Sequence, residues 1–197
     1  MPAPGVSDTS RPTPKAKSRA ADFWNFSVEL YGRPGVAAAC LSLQDRFEAD
    51  VNIVLFCCWL AKTGRGRVSA RLLASIRKSV SPWHAEIVRV LRALRRRLKA
   101  PDPDWPSRET ERLRQCIKDA EIEAERIEQV MIAGLNLPAP RAGATPRRDA
   151  RASLDRYFAT LGSSLDDADR TTISTLLDSC FLEVGRDFPV GKSPRRA

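Results

Sequence analysis

DVNIVLFCCWLAK, residues 50–62, is the stretch on which the fold turns. Val51, Ile53 and Val54 would suit a strand. The run is too long for a typical strand, however, and has no hairpin partner nearby. Asp50 in front of it is a good helix N-cap, and Gly64 behind it is a helix stop. The stretch therefore predicts a helix that is apolar on every side and so belongs in a core. The apolar run Val51–Ala61, interrupted by Asn52, falls well short of the roughly 20 residues that span a bilayer.

Outward from that helix the periodicity stays helical. Val36, Cys40, Leu43 and Phe47 follow the 4-3-4 spacing of one helical face. Before them, Asp22 reads as an N-cap and Gly32 as the end of a short helix. Phe23, Phe26 and Leu30 form one of its stripes, and Trp24, Val28 and Tyr31 a second. On the C-terminal side, Ser69 opens a helix with Leu72, Leu73, Ile76 and Val80 inward. Ser81-Pro82 is read as the start of the next, PWHAEIVRVLRALRRRLK, with the stripe Ile87, Leu91, Leu94 and Leu98. After the proline-rich break at 101–106, Ser107 opens a long helix. Its residues Leu113, Ile117, Ala120, Ala124, Ile127 and Met131 have the alternating 4-3 spacing of a coiled coil. Beyond a Pro/Ala/Arg linker at 138–148 come Leu154, Tyr157, Phe158 and Leu161, then Ile173, Leu176, Leu177, Cys180 and Phe181. These form a helix pair too small to stand alone.

The chain carries a net charge of +9, unevenly spread. Residues 22–100 hold +8 and residues 101–140 hold −4. The basic surplus peaks at Arg89, Arg92, Arg95, Arg96, Arg97 and Lys99, the acidic one at Glu121, Glu123, Glu125 and Glu128. The two groups lie on helices expected to pair, so part of the charge is satisfied internally and the rest is a solvated flank. The alternative is a phosphate-binding face for nucleic acid. No aromatic residue interleaves the arginines to stack a base, and no nucleic-acid-reading motif is present.

Little else points to chemistry. His84 is the only histidine, in what reads as a first helical turn; its expected role is structural. Asn52 reads as a buried network residue, with ligand contact as the alternative. Cys57 and Cys58 are adjacent on a helix and point about 100° apart, so they are core thiols rather than a disulfide. The glutamate cluster reads as a solvated face, since the Glu-x-x-His of helical carboxylate metal sites is missing. There is no GxxxxGK[ST], GxGxxG or GxSxG. No catalytic residue, metal ligand or cofactor is expected. With no apolar leader at the N-terminus and five cysteines, the expected compartment is the reducing cytoplasm.

Several motifs resemble an uncharacterised proteobacterial protein family, a conserved domain of unknown function. Trp24, Phe26 and Ser27 fit its Trp-x-Phe-(Ser/Ala) start, and Tyr31, Pro34, Gly35 and Val36 its Tyr-x-x-Pro-Gly-Val. Cys40, Leu41, Leu43 and Gln44 fit Cys-Leu-x-Leu-Gln, and Asp50, Val51 and Asn52 with Trp59 and Leu60 fit Asp-Val-Asn and an apolar Trp-Leu. Trp83, Leu91, Arg92, Arg95, Arg96, Leu98 and Lys99 fit a tryptophan-led arginine helix. Ile117, Lys118, Glu121, Glu123, Ala124, Glu125 and Arg126 fit its last segment. The resemblance covers roughly residues 22–135. It implies a bacterial, cytoplasmic, helical protein and carries over no activity, cofactor or site residue.

The expected architecture is all-α, a helical bundle with a long antiparallel hairpin and a docked C-terminal helix pair. Its parts are a disordered basic tail at 1–21, the helical domain at 22–137, the linker at 138–148, the pair at 149–185 and a disordered tail at 186–197. The expected function is a non-enzymatic interaction or regulatory protein with a protein partner, using the hairpin or a groove beside it. Nucleic-acid binding through helix 89–99 is the alternative. An enzyme with a pocket near Trp24, Asn52 and His84 is the third reading. Trp24, Tyr31, Asn52, Trp83, His84, Arg92 and Arg96 are the candidate contact residues.

Overall fold

The computed structural model describes residues 14–181 apart from 101 and 163, and every regular element among them is helical. Helix α1 (Pro14–Tyr31) begins well before the Asp22 cap that the sequence suggests. Ala16, Ala20, Phe23, Ser27 and Leu30 are buried along one face at 4-3-4-3 spacing. Two small alanines carry the first turns of that stripe, so a segment that looks like a tail by composition still docks. Proline at the first position loses no hydrogen bond there. The opposite flank, with Val28, is exposed, so α1 is one-sided rather than apolar all round. What remains of the two expected disordered tails, 1–13 and 186–197, lies outside the described residues.

Helix α2 (Val36–Phe47) buries Val36, Cys40, Leu43 and Phe47, as its spacing predicts. Helix α3 (Val51–Lys62) is the central element. Asp50 caps it, with Oδ1 accepting the backbone N–H of Asn52 at 2.8 Å and of Ile53 at 3.4 Å. Every residue from Asn52 to Ala61 is buried. Phe23 of α1 packs on its Phe56 and Trp59, with ring centroids 5.6 and 5.2 Å apart. Gly64, at φ 71°, turns the chain out of the helix. All five cysteines are free thiols, and burial pushes Cys57 up to about 12.

Helix α4 (Ala70–Trp83) starts at the Ser69 cap, whose hydroxyl accepts the Leu72 N–H at 3.1 Å. The helix does not restart at Pro82. Pro82 lies inside α4, a π turn follows at His84–Val88, and helix α5 (Arg89–Arg97) continues from it. The Arg89 N–H reaches back to the His84 carbonyl, the five-residue bond of a π turn. The extra residue rotates everything beyond it. The buried face runs from Val80 to Val88, while Ile87 and Leu94 of the expected stripe are exposed.

Helix α6 (Ser107–Gly134) returns antiparallel to α4 and α5. Its buried positions are Thr110, Ile117, Glu121, Ala124, Glu128, Gln129, Ile132 and Ala133. Half of the expected coiled-coil stripe, Leu113, Ala120 and Ile127, is exposed. Ile117 and Ala124 stay inward, but the positions between and after them move by one residue, from Ala120 to Glu121 and from Ile127 to Glu128. That overturns the reading of the glutamate cluster as a wholly solvated face. Helices α7 (Pro146–Ala159) and α8 (Asp167–Phe181) join the main core through Leu154, Tyr157, Phe158, Ile173, Leu176, Leu177 and Cys180. No helix among the described residues is long and apolar enough to cross a membrane.

Leu55, buried in the middle of α3, tests this centrality. Leu55→Asp places an unpaired carboxylate among large apolar side chains, and the expected result is loss of cooperative unfolding. A circular-dichroism melt unchanged from the parent would show that α3 is not the core.

Candidate functional site

A groove of about 550 Å³ lies between α1, α2 and the N-terminal turns of α3 on one side and the α5–α6 hairpin on the other. This size is ordinary for a ligand cleft. The first wall is Trp24, Val28 and Tyr31, with Leu41 and Gln44. Arg92, Arg95, Lys118, Glu121, Ile122 and Glu125 form the second, and Asn52 and Gln129 contribute amides from α3 and α6.

The charged wall is locked by mutual pairing. Arg92 Nε donates to Glu121 Oε1 at 3.1 Å and its Nη2 to Glu125 Oε1 at 2.8 Å. Arg95 adds a bidentate grip on Glu121. Bidentate guanidinium–carboxylate geometry fixes orientation as well as charge. Burial raises the Glu125 carboxyl from its ordinary value, and Arg92 opposes that rise. The π turn is what aims these arginines. Without its extra residue the exposed Leu94 face would meet α6 instead.

Behind the amides runs a buried polar chain. The Ser27 hydroxyl is 3.3 Å from Gln129 Oε1, and Gln129 Nε2 donates to Asn52 Oδ1 at 2.8 Å. Asn52 Nδ2 donates to Glu128 Oε2 at 3.0 Å. His84 Nδ1 then lies 3.3 Å from Glu128 Oε2 and 3.4 Å from Asp50 Oδ2. The chain ends where the Asp50 backbone N–H donates to the Tyr157 hydroxyl at 2.8 Å. Asp50, His84 and Glu128 thus place one ligand-type atom each within 4.8 Å of one another. Burial, with Glu128 beside it, pushes the Asp50 carboxyl well above the usual range, and burial raises Glu128 too. The cluster has no Glu-x-x-His signature because its histidine comes from a different helix than its glutamate.

The candidate contact residues therefore divide. Trp24, Tyr31, Asn52 and Arg92 line the groove, and His84 connects to it through Glu128 and Asn52. Asn52 is both a network residue and a groove residue. Trp83 is tied down elsewhere, its indole N–H donating to the Ala124 carbonyl at 2.9 Å. Arg96 is outside the groove and pairs with Asp45 at 2.6 Å. Glu121, Glu125, Glu128, Gln129 and Arg95 were missed as site residues. The signal for two of them was present in sequence, since Ile117, Glu121, Ala124 and Glu128 also repeat at 4-3-4.

Two arginine variants separate the buried pairs from the exposed ones. The Arg92 side chain is 11% exposed and the Arg96 side chain 50%. Arg92→Ala strands Glu125 and removes one of the three arginine hydrogen bonds to Glu121, and is expected to cost about 3 kcal/mol. Arg96→Ala is expected to cost less than about 1 kcal/mol. Chemical denaturation of both against the parent checks this, and equal losses would refute the assignment.

No curated protein and no solved structure matches the chain. Residues 22–132 match the family described as a protein of unknown function, DUF2390. That span holds α2 to α5, most of α1 and α6, the whole charged wall and all three residues of the buried cluster. The chain belongs to the DUF2390 family.

Proposed function

We propose that the protein is a non-enzymatic interaction protein of the cytoplasm that holds a segment of a partner protein in the groove beside its arginine–glutamate hairpin. The observation that carries this reading is the makeup of the groove. Exposed Val28, Leu41 and Ile122 stand at a cleft whose other wall is charged, the pattern of an apolar anchor site with a polar rim. Arg92, Arg95, Glu121 and Glu125 already satisfy one another. A prepaired wall suits recognition better than proton transfer, which needs a group free to change its partner.

The same pairing weakens the nucleic-acid alternative. Arg89 pairs with Glu48, Arg92 and Arg95 with Glu121, and Arg96 with Asp45. Arg97 lies over the Trp105 ring at 4.6 Å. A phosphate would have to compete with these carboxylates for Arg89, Arg92, Arg95 and Arg96.

The groove is tested by blocking it at exposed positions. Leu41→Arg and Val28→Arg should leave the melt within about 0.5 kcal/mol of the parent, as surface changes do. Both should abolish capture of proteins that the parent retains from a nuclease-treated lysate of its source cell. Val90→Arg, exposed and outside the groove, should retain them. A captured set indifferent to the groove variants would refute the proposal. So would tight oligonucleotide binding that weakens steeply with salt.

A further inference from the structure

We infer that Asp50, His84 and Glu128 form a binding site for one divalent transition-metal ion, with His84 Nδ1, Asp50 Oδ2 and the Glu128 carboxylate as its donors. The first ground is spacing. The His84 nitrogen stands 3.3 and 3.4 Å from the two carboxylates. Charge-assisted N–H···O bonds close to about 2.7–2.9 Å. Ligands bound at about 2.0–2.2 Å around one tetrahedral or octahedral ion stand roughly 3.0–3.5 Å apart, which matches the two His84 separations, and all three donor atoms lie within 4.8 Å of one another.

The second ground is an orphan atom. Glu128 is fully buried, 0% exposed, and its Oε1 is a buried oxygen without a hydrogen-bond partner. Its Oε2 accepts from Asn52. A buried carboxylate oxygen left unsatisfied is costly, and a bound cation would supply what Oε1 lacks.

The third ground is that each ligand is already oriented. Asp50 spends Oδ1 on the α3 N-cap, which leaves Oδ2 for the cluster. Asn52 holds the Glu128 carboxylate and is itself held by Gln129. Outer-shell bonds of this kind fix ligating carboxylates in metalloproteins. Two carboxylates and one imidazole suit Zn2+, Mn2+, Fe2+ or Co2+ better than Mg2+, which prefers oxygen and keeps its water. His84, the most exposed of the three at 12%, marks the entry side.

The test uses the tag-free full chain, stripped with a chelator and titrated separately with Zn2+, Co2+, Mn2+ and Mg2+. The expected result is saturable uptake of one equivalent of at least one transition ion, with a raised melting temperature and no comparable effect of Mg2+. Because the chain has one histidine, Co2+ or Mn2+ should broaden a single set of imidazole proton resonances. Bound Co2+ should show ligand-field bands without a thiolate charge-transfer band. His84→Ala and Glu128→Gln, each checked for helicity, should bind at least tenfold more weakly. The inference is overturned if the parent takes up no transition ion or prefers Mg2+. A Co2+–thiolate band, or binding that survives in both folded variants, overturns it too. The parent titration decides the matter even where a variant fails to fold.

Discussion

A helix with no polar face must be enclosed, and α3 imposes that requirement on the rest of the chain. Burying a large apolar side chain is worth about 1.5–3 kcal/mol, and α3 buries Ile53, Val54, Leu55, Phe56, Trp59 and Leu60. Helices α1, α2, α6, α7 and α8 all contribute residues to the cluster around it. The family match stops at residue 132, but the enclosure does not. Tyr157 and Phe158 of α7 are buried in the same core, and Tyr157 also receives the Asp50 N–H. The C-terminal pair is therefore part of the wall and not an ornament on a finished domain.

Enclosure also explains where the polar chemistry collects. The polar side chains Asp50 and Asn52 sit at the N-terminal end of α3, and once buried they need partners. Glu128, Gln129 and His84 supply them from two other elements. The groove opens over that end of α3, so its amides are fixed by the same network that satisfies the helix start.

Much of this was legible from local signals. The caps at Asp50 and Ser69, the stop at Gly64 and the 4-3-4 face of α2 are short-range patterns, and tertiary packing did not override them. The failures have physical causes. Ala16 and Ala20 are too small to announce a buried stripe, yet they let α1 start at Pro14. Pro82 reads as a helix start because proline is expensive inside one, and the π turn just after it has no sequence signature of its own. On α6, apolar Ala120 and Ile127 outscore Glu121 and Glu128 by hydrophobicity. Only the facing arginines make Glu121 the better inward choice, and only Asn52 and His84 do so for Glu128. Of the site, Trp24, Tyr31, Asn52 and Arg92 were visible as unusual residues. Their convergence with Glu121, Glu125 and Gln129 depends on helix rotation, which periodicity alone does not set.

The hairpin therefore encodes two interfaces in one sequence, and the π turn selects between them. An unbroken α-helix would continue Val80 into Ile87 and Leu94, giving an apolar seam with the arginines facing water. The inserted residue turns that seam outward and brings the arginines in. Inward guanidiniums meet inward carboxylates in only one register, whereas an apolar seam tolerates sliding by a heptad. A single-residue deletion between His84 and Val88 would thus act as a frame change on the hairpin. It would trade a cleft wall with fixed alignment for a slippery one, leaving the composition nearly untouched.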